Sequence, residues 1–323
     1  MNIILTHGSA LEFWRLHSQE CFDGYRRLRH TPYMPPPCDG PSISESEALQ
    51  LANIYGLSLP LHVAAHTATR KREVSWLKTH VLDKQAVSMP LFVRVTSGLW
   101  VSCPALTVLQ MATSLCRPRL ERLLYELCGT FSVDPRPGRH ALITRPPLLD
   151  IESCYSFLDS LPGVRGTRLF RAALAEIIEG SASPPESEMA IILGSSSSIG
   201  ACHVEGAVMN KRIDLPSFLQ PVFEAAFFKP DLYWEKGRVA VEYDSNAYHC
   251  GEEKIRQDGR RADALRQMGI TLYSVHPWEL RDRHFMNALA RRIARRTGSR
   301  FRPRGKRFDE LQTRLFRELF EMD

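Results

Sequence analysis

The sequence predicts an α+β protein whose last third is a mixed sheet flanked by helices. Three observations lead there. Runs of alternating, β-branched residues stand at 61–67, 91–102, 226–244 and 270–276. Between them lie longer stretches with apolar residues at helical spacing. Finally, the element order from Ser183 onward reads α-β-β-β-α-β, which a sheet covered on its faces accommodates.

Residues 1–103 read as a small α+β unit, a candidate for DNA or partner binding. The stretch TPYMPPPCDGP (31–41) holds five prolines and cannot continue a helix or a central strand, so it is expected to be a loop after an opening helix. Ser44 followed three residues later by Glu47 fits a capping box and opens a helix over 44–57. Segments 61–67 and 91–102 follow as strands.

From 104 to 182 the pattern turns helical and reads as a connecting region. Pro118 splits the first helical pair, the loop VDPRPGRHALITRPP (133–147) interrupts, and two helices follow, the second expected to end at Gly180. None of its residues is singled out as catalytic.

Residues 183–323 form the third region. Ser183 is placed to cap a helix, Pro184 and Pro185 suit its first turn, and Glu186 sits three residues after the cap. Strands at 211–215 and 226–234, a turn at Glu235–Lys236–Gly237 and a strand at 238–244 come next. A helix at 253–268, a strand at 270–276, a basic helix at 282–297 and a final helix striped by Phe308, Leu311, Leu315 and Leu319 complete the order.

Composition bounds the function. Hydrophobic residues make up 44% and charged residues 24% of 323, ordinary for a globular chain. No apolar run reaches the ~20 residues of a membrane span, and MNIILTHGSALEFWR lacks the basic start and long apolar core of a signal peptide. A cytoplasmic protein with no membrane partner is expected. The eight cysteines are scattered without a CxxC pair and read as reduced. Cys202–His203 and His249–Cys250 could supply four zinc ligands, but adjacent strand residues face opposite ways, which argues against a structural zinc.

The formal charge is +6, and its location matters more than its size. Residues 281–307 hold eleven Lys or Arg against one Asp, leaving 31 basic and 35 acidic residues elsewhere. Such a stripe suits either a phosphate backbone or a solvated helix face. Arg291, Arg292, Arg295 and Arg296 are its centre.

The sharpest feature is acidic. A hairpin about 235–237 brings Asp231 near Glu242, and alternation puts Glu242 and Asp244 on one face with Val239, Val241 and Tyr243 on the other. Three carboxylates crowding one sheet end repel one another, so at least one is expected to hold its proton. A hard divalent cation would relieve the conflict. On helix 253–268, Asp258 shares the inner stripe with Ile255, Ala262 and Leu265 and needs a partner, for which Arg260 and Arg261 are candidates; Arg261 could instead clamp a phosphate.

The residues SPPES, PDLYW, VAVEYDSNAYH and DGRRADALRQMGI, between Ser183 and about Gly298, resemble the PD-(D/E)xK nuclease superfamily, specifically its branch similar to the very-short-patch-repair endonuclease. More weakly, SALEFWR, LPLHVAA and CPALTVLQMA resemble bacterial proteins with such a C-terminal domain, described as AbiEi-like antitoxins. The resemblance implies a restriction-endonuclease-like mixed sheet and Mg²⁺ or Mn²⁺ held by Asp231 and Glu242, with Glu186 reaching in. The lysine usual two residues after the glutamate is Asp244 here; the short-patch-repair branch also lacks that lysine and relies on a histidine, for which His249 is the candidate. A metal-dependent DNA endonuclease is therefore expected, with DNA and a cognate toxin or other protein as partners. The rival is a silent nuclease-fold antitoxin or transcriptional regulator. A nuclease for RNA or single strands lacks the aromatic-rich stacking motif such binding uses.

Overall fold

The computed structural model describes residues 2–28, 34, 42–67, 72–136, 138, 141–245, 252–301 and 305–321. The chain divides into two compact units, Met1–Leu174 and Ala175–Asp323, both of mixed α and β structure. Among the described residues no helix is long and apolar enough to cross a membrane.

The first unit runs β1 (Ile3–Leu5), α1 (His7–Leu28), α2 (Glu45–Tyr55), β2 (Leu61–Ala65), β3 (Glu73–Val74), β4 (Leu77–Val81) and α3 (Lys84–Val87). It continues with β5 (Phe92–Arg94), β6 (Leu99–Ser102), α4 (Pro104–Met111), α5 (Arg117–Cys128), β7 (Phe131–Val133), β8 (Leu142–Thr144), α6 (Ile151–Ser160) and α7 (Thr167–Leu174). Its main sheet has the order β3-β4-β2-β1-β6-β5, with β1 parallel to β6 and antiparallel to β2. Central β1 is buried throughout, which its unbroken Ile-Ile-Leu run requires. Ser44 and Glu47 form the expected capping box of α2.

Residues 104–174 are not a connector; they complete this unit. Helix α4, mostly apolar, is buried from Pro104 to Gln110, so it has to be enclosed. The joints are polar and specific. His7 N donates to Gln110 Oε1 at 3.0 Å, and Arg15 donates to Glu126 through Nε and Nη2 at 2.8 and 2.6 Å. Helix α7 ends at Leu174, before Gly180, whose carbonyl instead accepts from Asn210 Nδ2 at 2.9 Å.

The second unit runs α8 (Pro184–Gly194), β9 (Ala207–Met209), β10 (Ile213–Asp214), α9 (Gln220–Phe223), β11 (Phe227–Phe228), β12 (Leu232–Trp234) and β13 (Val239–Tyr243). It ends with α10 (Glu252–Gln267), β14 (Thr271–Val275), α11 (Pro277–Leu280), α12 (Arg283–Thr297) and α13 (Lys306–Phe320). The sheet order is β14-β13-β12-β9. Strands β13 and β14 are parallel and α10 crosses between them; β12 is antiparallel to both its neighbours. The stretch 226–234, expected as one strand, splits at Lys229–Asp231: Pro230 has no N–H for a ladder, so β11 pairs with β10 and β12 with β13. Strand β9, only three residues long, is absent from the sequence-based order.

Tyr233 and Ala240 share a core with Leu265 of α10, Phe228, Leu215 and Ile270. Helix α12 contacts α8 and β13 and lies over the other face, where Leu232, Trp234, Val239 and Val241 are buried. Gly200 fixes one close approach. Its φ is +90°, and a Cβ there would come within 2.3 Å of the Gln312 backbone nitrogen on α13. Gly200→Ala is therefore expected to destabilise the second unit by about 3 kcal/mol, read as a lower urea midpoint for that transition.

Candidate functional site

The acidic residues gather at the carboxyl end of the parallel pair β13–β14, the position where open sheets with crossover helices bind ligands. The β12–β13 hairpin turns at 235–238, where Gly237 and Arg238 take φ of +96° and +50° and Arg238 N donates to Glu235 O at 3.1 Å. Leu232 pairs with Val241, so one step further Asp231 stands beside Glu242, as the spacing predicts. Asp231 Oδ2 accepts from Tyr243 N at 2.7 Å, which ties its carboxyl to the partner strand.

Glu242 follows Ala240 by two residues and so lies on the α10 side of the sheet. There Arg261 Nη2 donates to Glu242 Oε1 at 2.8 Å. The same guanidinium lies over the rings of Phe228 and Phe223, 5.1 and 5.5 Å from their centres. Arg261, considered from sequence as a partner for Asp258 or a phosphate clamp, is thus paired with Glu242.

Glu186 arrives from the first turn of α8. Ser183 caps that helix, and Ser183 Oγ donates to Glu186 Oε1 at 2.9 Å while Ala182 N donates to Oε2 at 2.9 Å. Asn210 Nδ2 donates to the same Oε2 at 2.7 Å, and Asn210 N donates to Asp231 O at 3.1 Å. Asn210 therefore links two of the acids, and sequence reasoning missed it. Its left-handed backbone, φ +50°, is one asparagine tolerates better than most residues.

The three acids act on one another. Asp231 is pushed up from 3.8 to about 7, chiefly by burial; the Tyr243 N–H opposes this, Glu186 and Glu242 add to it, and Arg261 pulls the other way. Asp231 thus holds its proton to near neutrality, through burial first and the crowding of like charges second.

Beyond them, Asp244 N donates to Val275 O at 3.0 Å, and Asp244 Oδ2 lies 4.0 Å from His276 Nδ1. His276 follows β14 as the N-cap of α11, stacks on Trp278 at 4.8 Å between ring centres, and has a buried Nδ1 with no hydrogen-bond partner. The expected histidine, His249, lies outside the described residues. His276 was not singled out in the sequence, because only the parallel register sets β14 beside Asp244.

The remaining candidates stand apart. The Asp258 side chain lies outside the described set; Arg260 is exposed on α10. Arg291, Arg292, Arg295 and Arg296 are exposed on α12, whose buried stripe is Met286, Leu289, Ala290, Ile293, Ala294 and Thr297. They project from the layer opposite Glu242. Cys202 is buried and donates to Asn287 Oδ1 at 3.6 Å, whereas His203 faces Glu205 at 3.0 Å; Cys250, like His249, is not among the described residues.

As donors, Asp231, Glu186 and Glu242 have the chemistry of a hard-cation site. Among the described residues no group of three or more His, Cys, Asp or Glu is placed so that it could hold a metal ion. The reason is local: Glu186 is turned to its cap and Asn210, and Glu242 to Arg261. No protein-family model matches the chain, and no curated protein or solved structure matches it.

Proposed function

We propose that the second unit is a restriction-endonuclease-like, metal-dependent phosphodiesterase acting on DNA. The observation that carries this reading is the shared field at the strand ends. A carboxyl held protonated to about neutrality by burial and two neighbouring acids would give up that proton to solvent in exchange for a divalent cation. Asp231 and Glu242 would hold Mg²⁺ or Mn²⁺, with Glu186 adjoining. When bound, such an ion neutralises the cluster, polarises a phosphoryl oxygen and acidifies a water.

The chain's own groups supply the rest. The Tyr243 N–H fixes the rotamer of Asp231. His276 Nδ1, which has no hydrogen-bond partner and lies 4.0 Å from Asp244 Oδ2, would take a proton from the attacking water. Arg261, whose Nη2 donates to Glu242, would be the charge-assisted donor to a phosphate bound there.

A second reading rests on two observations. Arg261 already neutralises Glu242, and the exposed arginines of α12 lie in the opposite layer. Both suit a regulator or antitoxin that binds DNA or a protein partner through α12 and does not cleave. One experiment separates the two. Mg²⁺ and Mn²⁺ are titrated calorimetrically into the protein and into Glu242→Gln, and both are incubated with supercoiled plasmid. Metal uptake and nicking, both lost in the variant while DNA binding persists, are expected. DNA binding without uptake or nicking in the unaltered protein would leave the regulator.

A further inference from the structure

In the first unit the central strand β1 passes straight into helix α1, and the start of that helix leaves polar groups unsatisfied. Thr6 is the N-cap: its carbonyl accepts from Ala10 N at 3.2 Å, and its N–H donates to His62 O at 2.9 Å. His7 turns the chain at φ +47° and gives its N–H to Gln110. Of the first N–H groups, which no helix can satisfy internally, those of Gly8 and Ser9 remain. Neither has a hydrogen-bond partner among the described residues. The side chain in the capping position does not serve them either, because Thr6 is fully buried and its hydroxyl has no partner. Such an orphan is rare in folded proteins.

That hydroxyl faces a polar surface. Leu5 pairs with Val63, so Thr6 stands opposite His62 across the antiparallel β1–β2 pair and their side chains share a face. On β4, Lys78 lies opposite His62, and His80 follows two residues later on that same face. His62 Nδ1 is 3.1 Å from His80 Nε2; when Nδ1 accepts, the proton of the neutral His62 ring sits on Nε2. The same ring borders the helix start. Beyond its own chain neighbours, a Cβ at Gly8 would meet only His62 Cε1, at 4.0 Å, which leaves this backbone open to close approach. His7, Gly8, His62 and His80 are half-buried, so the surface reaches solvent. Its field is positive. Burial first, then His80, His62 and Lys78, push His7 down to about 3; burial and Lys78 lower His62, with Glu73 opposing. The N-terminal end of the 22-residue α1 adds partial positive charge.

We propose that the start of α1 binds a phosphate group, that of inorganic phosphate or of a phosphate monoester. The N–H groups of Gly8 and Ser9, the Thr6 hydroxyl and His62 Nε2 supply donors for its oxygens, and Lys78 supplies charge from the same face. A carboxylate, with two oxygens, satisfies fewer of these groups, and a cation meets the field that keeps the rings neutral. Two features limit the affinity to a moderate value. Lys78 is paired with Glu73 at 2.8 Å, and Thr6 Oγ1 is closed to solvent until a half-buried ring beside it turns. This site lies in the first unit and does not depend on the carboxylate cluster of the second.

The test is calorimetric titration of inorganic phosphate into the full chain at low ionic strength, with methyl phosphate in a parallel arm. Uptake is expected in at least one arm; tighter binding of methyl phosphate assigns the site to a phosphorylated small molecule, tighter binding of inorganic phosphate to the free ion. Thr6→Val should weaken binding about tenfold. It should not lower the melting temperature of the phosphate-free protein, because the hydroxyl it removes has no partner. Gly8→Ala, whose methyl group stands in the approach to the helix start, should weaken binding at least as much. Arg261→Gln, which removes the phosphate donor proposed for the other unit, should leave it unchanged. No uptake at millimolar anion, uptake that both Thr6→Val and Gly8→Ala retain, or uptake that Arg261→Gln abolishes would overturn the site.

Discussion

Asp231→Asn is expected to abolish plasmid cleavage and, at pH 8 without metal, to raise the melting temperature. Both effects follow from one carboxyl. Its folded-state value is about 7 against an ordinary 3.8, so the folded protein binds its proton more tightly than the unfolded chain does. The contribution of this group to stability is fully present below about 4 and is lost as pH rises through about 7. The cost at pH 8 is on the order of 4 kcal/mol at most. Asparagine cannot ionise, yet its side-chain oxygen still accepts the Tyr243 N–H. Calorimetric scans from pH 4 to 8 should show the variant's advantage growing up to about pH 7 and then levelling. Mg²⁺ should narrow the gap by stabilising only the unaltered protein. Cleavage should fall by roughly a thousandfold or more, the scale of losing a metal-ion contribution to the transition state. Destabilisation by Asp231→Asn at pH 8 would refute the account of this carboxyl, and undiminished cleavage would refute its role.

Glu126→Ala should have the largest effect on the first unit, a loss of about 3–5 kcal/mol. Glu126 is buried. Besides the two bonds from Arg15, its Oε1 accepts from Val133 N at 3.3 Å, and Arg145 donates to its backbone carbonyl at 2.8 Å. Burial alone would push this carboxyl up; the Arg15 charge and hydrogen bonds, with Val133 N and Arg145, outweigh it and leave it below its ordinary value. Its contribution is therefore present above the unfolded value of about 4.3 and is lost as pH falls through the lower folded value. Truncation strands Arg15 and Arg145 without their counter-charge. Urea unfolding at pH 7 measures the loss, and at acid pH the gap between the two proteins should narrow. A midpoint unchanged at pH 7 would show the pair to be dispensable.

Much of the second unit was legible from local rules. Ser183, the two prolines and Glu186 specify the start of α8, and the turn at 235–238 with its flanking alternation specifies the β12–β13 hairpin. That hairpin alone sets Asp231 beside Glu242. Short elements escaped: three-residue β9 has too few residues to show a period, and the break at Pro230 is visible only once β11 finds β10. The middle region was misjudged for a related reason. A short, mostly apolar helix looks the same in sequence whether it bridges two units or lies inside one.

The sequence by itself determined the caps, the turns, the apolar stripe of α13 and the local pairing of two acids, because each depends on residues within about a dozen positions. Tertiary structure decided the partners. Arg261 reaches Glu242 only because α10 packs on the Ala240 face, and His276 meets Asp244 only because β14 runs parallel to β13. In the first unit, His7, His62 and His80 come together only because β1, β2 and β4 are neighbours. These contacts are governed by the burial of whole faces and by strand order, which depend on the entire chain and leave no trace in local spacing.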